Sequence, residues 1–145
     1  SKSNTFENEL LLLLFNNTDI ANIGDASGLQ NSATAGSLYV ALHTADPGES
    51  GTATTSEAAY TGYARVAVAR SGAGWTVSSN NVTNAADIVF PTSSDGPEVE
   101  THWSICKESS GASVILYKGA LSASLTVNNL IAPRIIAGAL DVNED

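Results

Sequence analysis

The stretch LYVALHTADPG, Leu38 to Gly48, carries the two residues whose types could begin an active site, His43 and Asp46. An aspartate that orients an imidazole makes it a general base, but the pair then needs a nucleophile on a recognisable element. No Gly-x-Ser-x-Gly elbow occurs in the chain. Asp46-Pro47-Gly48 has a simpler reading as a turn, in which Asp accepts local backbone N–H groups, Pro fixes φ and Gly supplies a positive φ. The second histidine, His102 in VETHWSICK, lacks any His-x-His or His-Glu-x-x-His spacing, and a catalytic zinc needs three protein ligands about an open position. Cys106 is the only cysteine, which excludes an intrachain disulfide and a cysteine-based zinc cluster; such a thiol is more often a small buried hydrophobe than a nucleophile. Asp95 and Glu98 flank Gly96-Pro97, and Asp141, Glu144 and Asp145 gather near the C-terminus, but no Asp-x-Asp-x-Asp-Gly calcium loop frames them. Two carboxylates could serve a glycosidase, a pattern of almost no specificity. Gly72-Ala73-Gly74 precedes a strand and not a helix, so it is no phosphate cradle. The expectation is a protein that is not an enzyme, with no catalytic residue, metal or cofactor.

Strands and turns must position these residues, because a single segment reads as helical. SKSNTFENELLLLLFNNTDIANIG offers Asn4 or Thr5 as a cap, with Glu7 three residues after Asn4. Phe6, Leu10, Leu13 and Leu14 fall on one helical face, Leu11 and Leu12 widen it, and Asn16-Asn17 and Gly24 are stop signals. Such a helix either packs on the edge of its own domain or docks on a partner or a second copy. Beyond the small-residue loop 24–36, Ser37–Thr44 and Tyr63–Arg70 alternate as strands. Trp75–Val77 and Val82–Asn84 flank an Asn80-Asn81 turn, and Ile88–Phe90 stops at Pro91. Val99–Lys107 and Ser113–Leu121 flank ESSGA, followed by a short Leu125–Val127 and a closing Arg134–Val142. The pattern is all-β: an antiparallel β-sandwich or jelly-roll-like domain of seven or eight strands over residues 25–145, with one N-terminal α-helix as an arm over residues 1–24. The loop Glu49–Thr61 is long for a hairpin connection, and such loops are usually functional or mobile.

Composition narrows the partners. The 145 residues suit one domain, and six Lys+Arg against fifteen Asp+Glu give a net charge of −9. Phosphate contacts need Lys and Arg, so nucleic-acid binding is not expected. Charged residues are 14% of the chain, against about 25% in ordinary domains; small neutral polar side chains replace them and are cheap to desolvate against a flat neighbour. The leucine run is far shorter than the roughly 20 apolar residues of a membrane span, and Glu7 and Glu9 before it do not suit a signal peptide. No membrane association is expected, and the cytoplasm suits a chain without disulfides as its place of folding. Methionine is absent and Ser1 opens the chain, which reads as a mature product with its initiator removed.

LYVALHTADPGESG, YTGYARVAVAR, NNVTNAADIVFP, VETHWSICKESSGASVILYKGAL and the closing IIAGALDV together resemble a family of small tailed-bacteriophage structural proteins, over about residues 37–142. That resemblance implies a virion protein and no catalytic residues. Two roles follow from it. A capsid decoration or cement protein would sit on the outer capsid surface, bind the major capsid protein and clamp neighbouring subunits as a homotrimer or dimer. A tail, collar or tail-fibre component would have fewer copies and contact the host. A single domain without coiled-coil heptads or fibrous repeats favours decoration. The expected contacts are Phe6, Leu10, Leu13 and Leu14 on the helix and Glu49, Thr52, Thr55 and Tyr60 in the long loop. A host-glycan-binding module is the alternative from another class, with Tyr39, Tyr60, Tyr63 and Trp103 as stacking platforms.

Overall fold

The computed structural model of the protein describes residues 1–145. Its elements are α1 (Asn4–Asn16), then β1 (Ser37–His43), β2 (Val66–Ala69), β3 (Trp75–Ser78), β4 (Asn81–Asn84), β5 (Ile88–Val89), β6 (Glu98–Cys106), β7 (Ile115–Val127), β8 (Arg134–Ile135) and β9 (Asp141–Asn143). The sheets run β2-β1-β6-β7, β3-β4-β9 and β5-β8. This is the all-β fold with one N-terminal helix that the strand spacing predicts, with nine strands in place of seven or eight. Two compact units divide the chain, one of residues 1–37, 68–87 and 135–145 and one of residues 38–67 and 88–134.

In the first unit, α1 packs on β3 and β4. Ser3, and not Asn4 or Thr5, is its N-cap: it is extended, and its Oγ accepts from the Phe6 N–H. Asn17 ends the helix at φ 56°, in the left-handed region that Asn tolerates. The helix C-terminus has no basic residue of its own; Arg70 supplies the cation, donating from Nε to Leu14 O (2.7 Å) and from Nη2 to Leu13 O (2.6 Å). Leu11 and Phe15 are fully buried, and Phe15 meets Trp75 edge-on at 4.9 Å. The β3–β4 register pairs Ser78 with Asn81, so the turn is Ser79-Asn80, one residue earlier than expected. Ser79 takes the positive φ of 55°. Asn81 belongs to the ladder because its Nδ2 donates to Asp141 Oδ1 (2.7 Å) on β9.

The segment expected as one closing strand, Arg134–Val142, is broken into β8 and β9. Asn84 is the cause: its side chain donates to Ile136 O (2.9 Å) and accepts from Leu140 N (2.9 Å), taking backbone groups that a continuing ladder would use. Gly138 turns between them at φ 76° with open space about its α-carbon, so it serves the turn.

The second unit holds most of the four-stranded sheet. β1 pairs antiparallel with β6, matching Leu42 with Trp103 and His43 with His102. Both faces of β1 are covered from Val40 to His43, so its alternation marks two buried faces and not a wet and a dry one. The expected strand Tyr63–Arg70 contracts to Val66–Ala69, because Tyr63 and Arg65 turn to hydrogen-bond Glu57. β7 is continuous, but its pairing with β6 jumps from Ala120 opposite His102 to Leu125 opposite Glu100. Residues 121–124 form an outward bulge there, at the place where the sequence pattern breaks between two strands. Gly119 lies opposite Trp103, and a Cβ there would stand 2.6 Å from the indole. The missing side chain is what lets Trp103 lie across the strand.

Candidate functional site

His43 and Asp46 do not meet as a catalytic pair. The His43 ring, fully buried, places Nδ1 2.9 Å from Thr55 O and Nε2 2.8 Å from Ser104 Oγ. A carbonyl can only accept, so Nδ1 carries the proton and Nε2 accepts from the Ser104 hydroxyl. Burial holds the imidazole below its usual pKa, which keeps it neutral. Asp46 instead accepts from Gly48 N (2.9 Å), the turn bond expected of Asp-Pro-Gly, and pairs with Lys118 Nζ at 3.1 Å. The Gly48 N–H, then Lys118, holds its carboxyl below the ordinary range. Glu49 reaches the same ammonium at 3.2 Å. His102 bonds to Thr101 Oγ1, and no group of three or more His, Cys, Asp or Glu side chains stands where it could hold a metal ion. Cys106 is buried, with its thiol pushed up by burial.

The densest polar arrangement is one that sequence reasoning missed. Arg65, 8% exposed, holds Glu57 with two parallel bonds, Nε to Oε1 (2.6 Å) and Nη2 to Oε2 (2.8 Å). Its remaining donors reach Glu108 O (3.0 Å) and Gly111 O (2.7 Å) in the turn between β6 and β7. The Tyr63 hydroxyl donates to Glu57 Oε1 (3.1 Å) and accepts from Leu42 N (3.1 Å). The hydrogen bonds that Arg65 donates to Glu57 raise the Arg65 pKa further, and burial raises that of Tyr63. Glu57 and Arg65 are joined across a loop, eight positions apart, with no periodicity to announce them. The arrangement can fix backbone in place; it holds no nucleophile and no open position.

The Glu49–Thr61 loop is accordingly fastened to its own sheet. Ala53 N donates to Ser113 O (2.9 Å), Thr44 N to Ser56 O (2.8 Å) and Ala58 N to Leu42 O (2.9 Å). Of the expected loop contacts, Glu49 and Thr55 are exposed and Thr52 is half-buried, whereas Tyr60 is only 4% exposed. Tyr60 donates to Pro91 O (3.0 Å) and meets Tyr63 edge-on, so it packs the interior and is not a surface contact. A second carboxyl pair anchors this end: Glu98 Oε1 accepts from Ala59 N (2.8 Å) and Tyr60 N (3.0 Å), and Glu100 lies buried beside it. On the helix, Phe6, Leu10, Leu13 and Leu14 are all half-buried, flanking the core line of Leu11 and Phe15. The helix and loop contacts belong to different compact units. Of the stacking platforms, Tyr60 and Trp103 are buried, Tyr63 is committed to Glu57 and Leu42, and Tyr39 is half-buried.

No curated protein matches the chain. One family model does, across residues 1–143, and its description is podophage GP4 fiber I protein gp80. That span takes in the leucine-rich helix as well as the strands, and it agrees with the resemblance to small tailed-phage structural proteins. The chain therefore belongs to the podophage fiber I protein family, and it is a phage virion structural protein.

Proposed function

We propose that the protein is a tail-fibre component of a podophage virion, which works by holding to neighbouring virion proteins and to further copies of itself and not by catalysis. The observation that carries this reading is the match to a fiber I family over residues 1–143. It favours the tail over a cement position on the outer capsid surface and the major capsid protein, because the family is described by a fibre. A mechanical role is supported by what the buried polar groups hold: Arg65 binds the Glu108 and Gly111 carbonyls, and His43 the Thr55 carbonyl. The contacts we assign are the half-buried Phe6, Leu10, Leu13 and Leu14 and the loop positions Glu49, Thr52 and Thr55. Small contacts repeated among tethered copies add through effective concentration, so no single one need be strong.

Gold labelling of a C-terminal tag on purified virions, with copy number measured by quantitative mass spectrometry against the major capsid protein, tests the assignment. The expected result is label on the tail and a copy number far below that of the capsid subunit. Label over the whole head, at a simple ratio to the capsid subunit, would return the protein to the cement role.

A further inference from the structure

Glu100 on β6 is 0% exposed, and neither of its carboxyl oxygens meets a donor. A buried carboxyl without a donor either holds a proton or destabilises its surroundings. Glu98 stands two residues earlier on the same face of β6, and its carboxyl is the one that grips Ala59 N and Tyr60 N. From the loop side the titratable neighbour is Tyr60, whose phenol is pushed up to about 12 by burial, then by Glu100 and Glu98. Opposite on β7 stands Leu125, which brings no charge. The one charged group that acts on Glu100 is Glu98, an acid and not a cation.

We propose that Glu98 and Glu100 form a proton-held latch, in which a proton on Glu100 lets Glu98 keep the Ala59 and Tyr60 backbone fastened to β6, and loss of that proton releases those two amides. As an acid, Glu100 donates to Glu98 and leaves the other lone pairs of Glu98 for the two backbone N–H groups. As a carboxylate, it would place a second negative charge against Glu98 with nothing to compensate either. The Glu98 carboxylate then draws away from Glu100 and gives up its bonds to Ala59 N and Tyr60 N, while the backbone at Glu98–Glu100 stays paired with β7. Burial first, then Glu98, pushes the Glu100 pKa up to about 8, so the latch is closed at neutral pH and opens in mild alkali. The inference needs no assumption about the place of the protein in the virion.

Amide hydrogen exchange of Ala59 and Tyr60, followed by NMR on the full chain, reads the latch directly. Protection factors corrected for intrinsic rates are compared on either side of the transition, at about pH 6 and about pH 9, for the wild type and Glu100→Gln. Gln keeps a donor toward Glu98 and cannot ionise. The wild type is expected to lose protection by about tenfold or more at the higher pH, the equivalent of one pKa unit of coupling, while Glu100→Gln keeps it. Unchanged wild-type protection, or an equal loss in the variant, would overturn the proposal. If the variant does not fold, the side-chain carboxyl carbon of wild-type Glu100 is titrated instead. An ordinary midpoint near about 4.3 would sink the latch, and a midpoint shared with the Ala59 and Tyr60 amides would sustain it.

Discussion

At the scale of single residues, polar side chains organise much of this protein, each by taking up backbone groups that no ladder uses. Arg65 is the clearest case, with four bonds to one carboxylate and two carbonyls at 2.6–3.0 Å and a side chain that is 2% exposed. Its removal strands a partly buried Glu57 and two carbonyls together, and breaking a buried pair on one side costs about 3–5 kcal/mol. Glu57 keeps 16% side-chain exposure, which argues for the lower end of that range. Arg65→Ala is therefore expected to lose about 3 kcal/mol in urea unfolding. Arg65→Lys should recover less than half, because an ammonium cannot reproduce two parallel bonds while also reaching Glu108 and Gly111. A loss below about 1 kcal/mol for the alanine variant, the level of an exposed pair, would mean the network is wetter than its geometry shows.

Elements follow from simpler rules, and more of them could be read in advance. Leucines between a serine cap and Asn17 specify α1, alternation specifies β1 and β6, and the break between Leu121 and Leu125 marks the bulge in β7. What escaped were tertiary substitutions for backbone partners. Asn84 cuts one expected strand in two, and Tyr63 and Arg65 pull another short to reach Glu57; neither act has a local period to betray it. The Glu98–Glu100 pair did leave a trace, two acids at i and i+2 on one face of β6, but only burial reveals its meaning. Tyr60 lies in a loop, where surface exposure is the ordinary expectation, and here the loop is fastened down around it. The helix shows how fold and contact divide within one element. Leu11 is fully buried and Leu10 and Leu14 are half-buried. Leu11→Ala should cost about 2–5 kcal/mol through loss of packing and a cavity where α1 packs on β3 and β4. Leu10→Ser with Leu14→Ser should leave a cooperatively folded chain that no longer incorporates into virions. Thermal unfolding of both proteins, beside mass spectrometry of virions assembled with the double variant, separates the two roles. Normal incorporation of the double variant would remove the leucine stripe from the list of contacts.

For the whole molecule, two buried titrating groups of opposite sense shape how stability depends on pH. Glu100 has its pKa raised from 4.5 to about 8. Between those values the folded chain holds a proton that the unfolded chain has released, so stability falls as pH rises, and the fall ends once the folded state has also lost it. His43 has its pKa lowered from 6.5, so its contribution is complete above that value and is lost as pH falls below it. Below 6.5 the two slopes oppose each other; between 6.5 and about 8 Glu100 acts without opposition from His43. One group can contribute up to about 1.4 kcal/mol per pH unit, which makes about 2 kcal/mol over that window. A net charge of −9 also disfavours the compact state, but it is nearly constant across the window and salt screens it. Urea midpoints measured through this range at low and high salt should therefore fall by an amount that salt leaves almost unchanged, then level off near pH 8. A decline that vanishes in about 0.5 M salt would assign the effect to surface repulsion. A flat profile at both salts would mean that Glu100 finds a partner on folding, and that the proton the fold demands is supplied as a hydrogen bond from elsewhere.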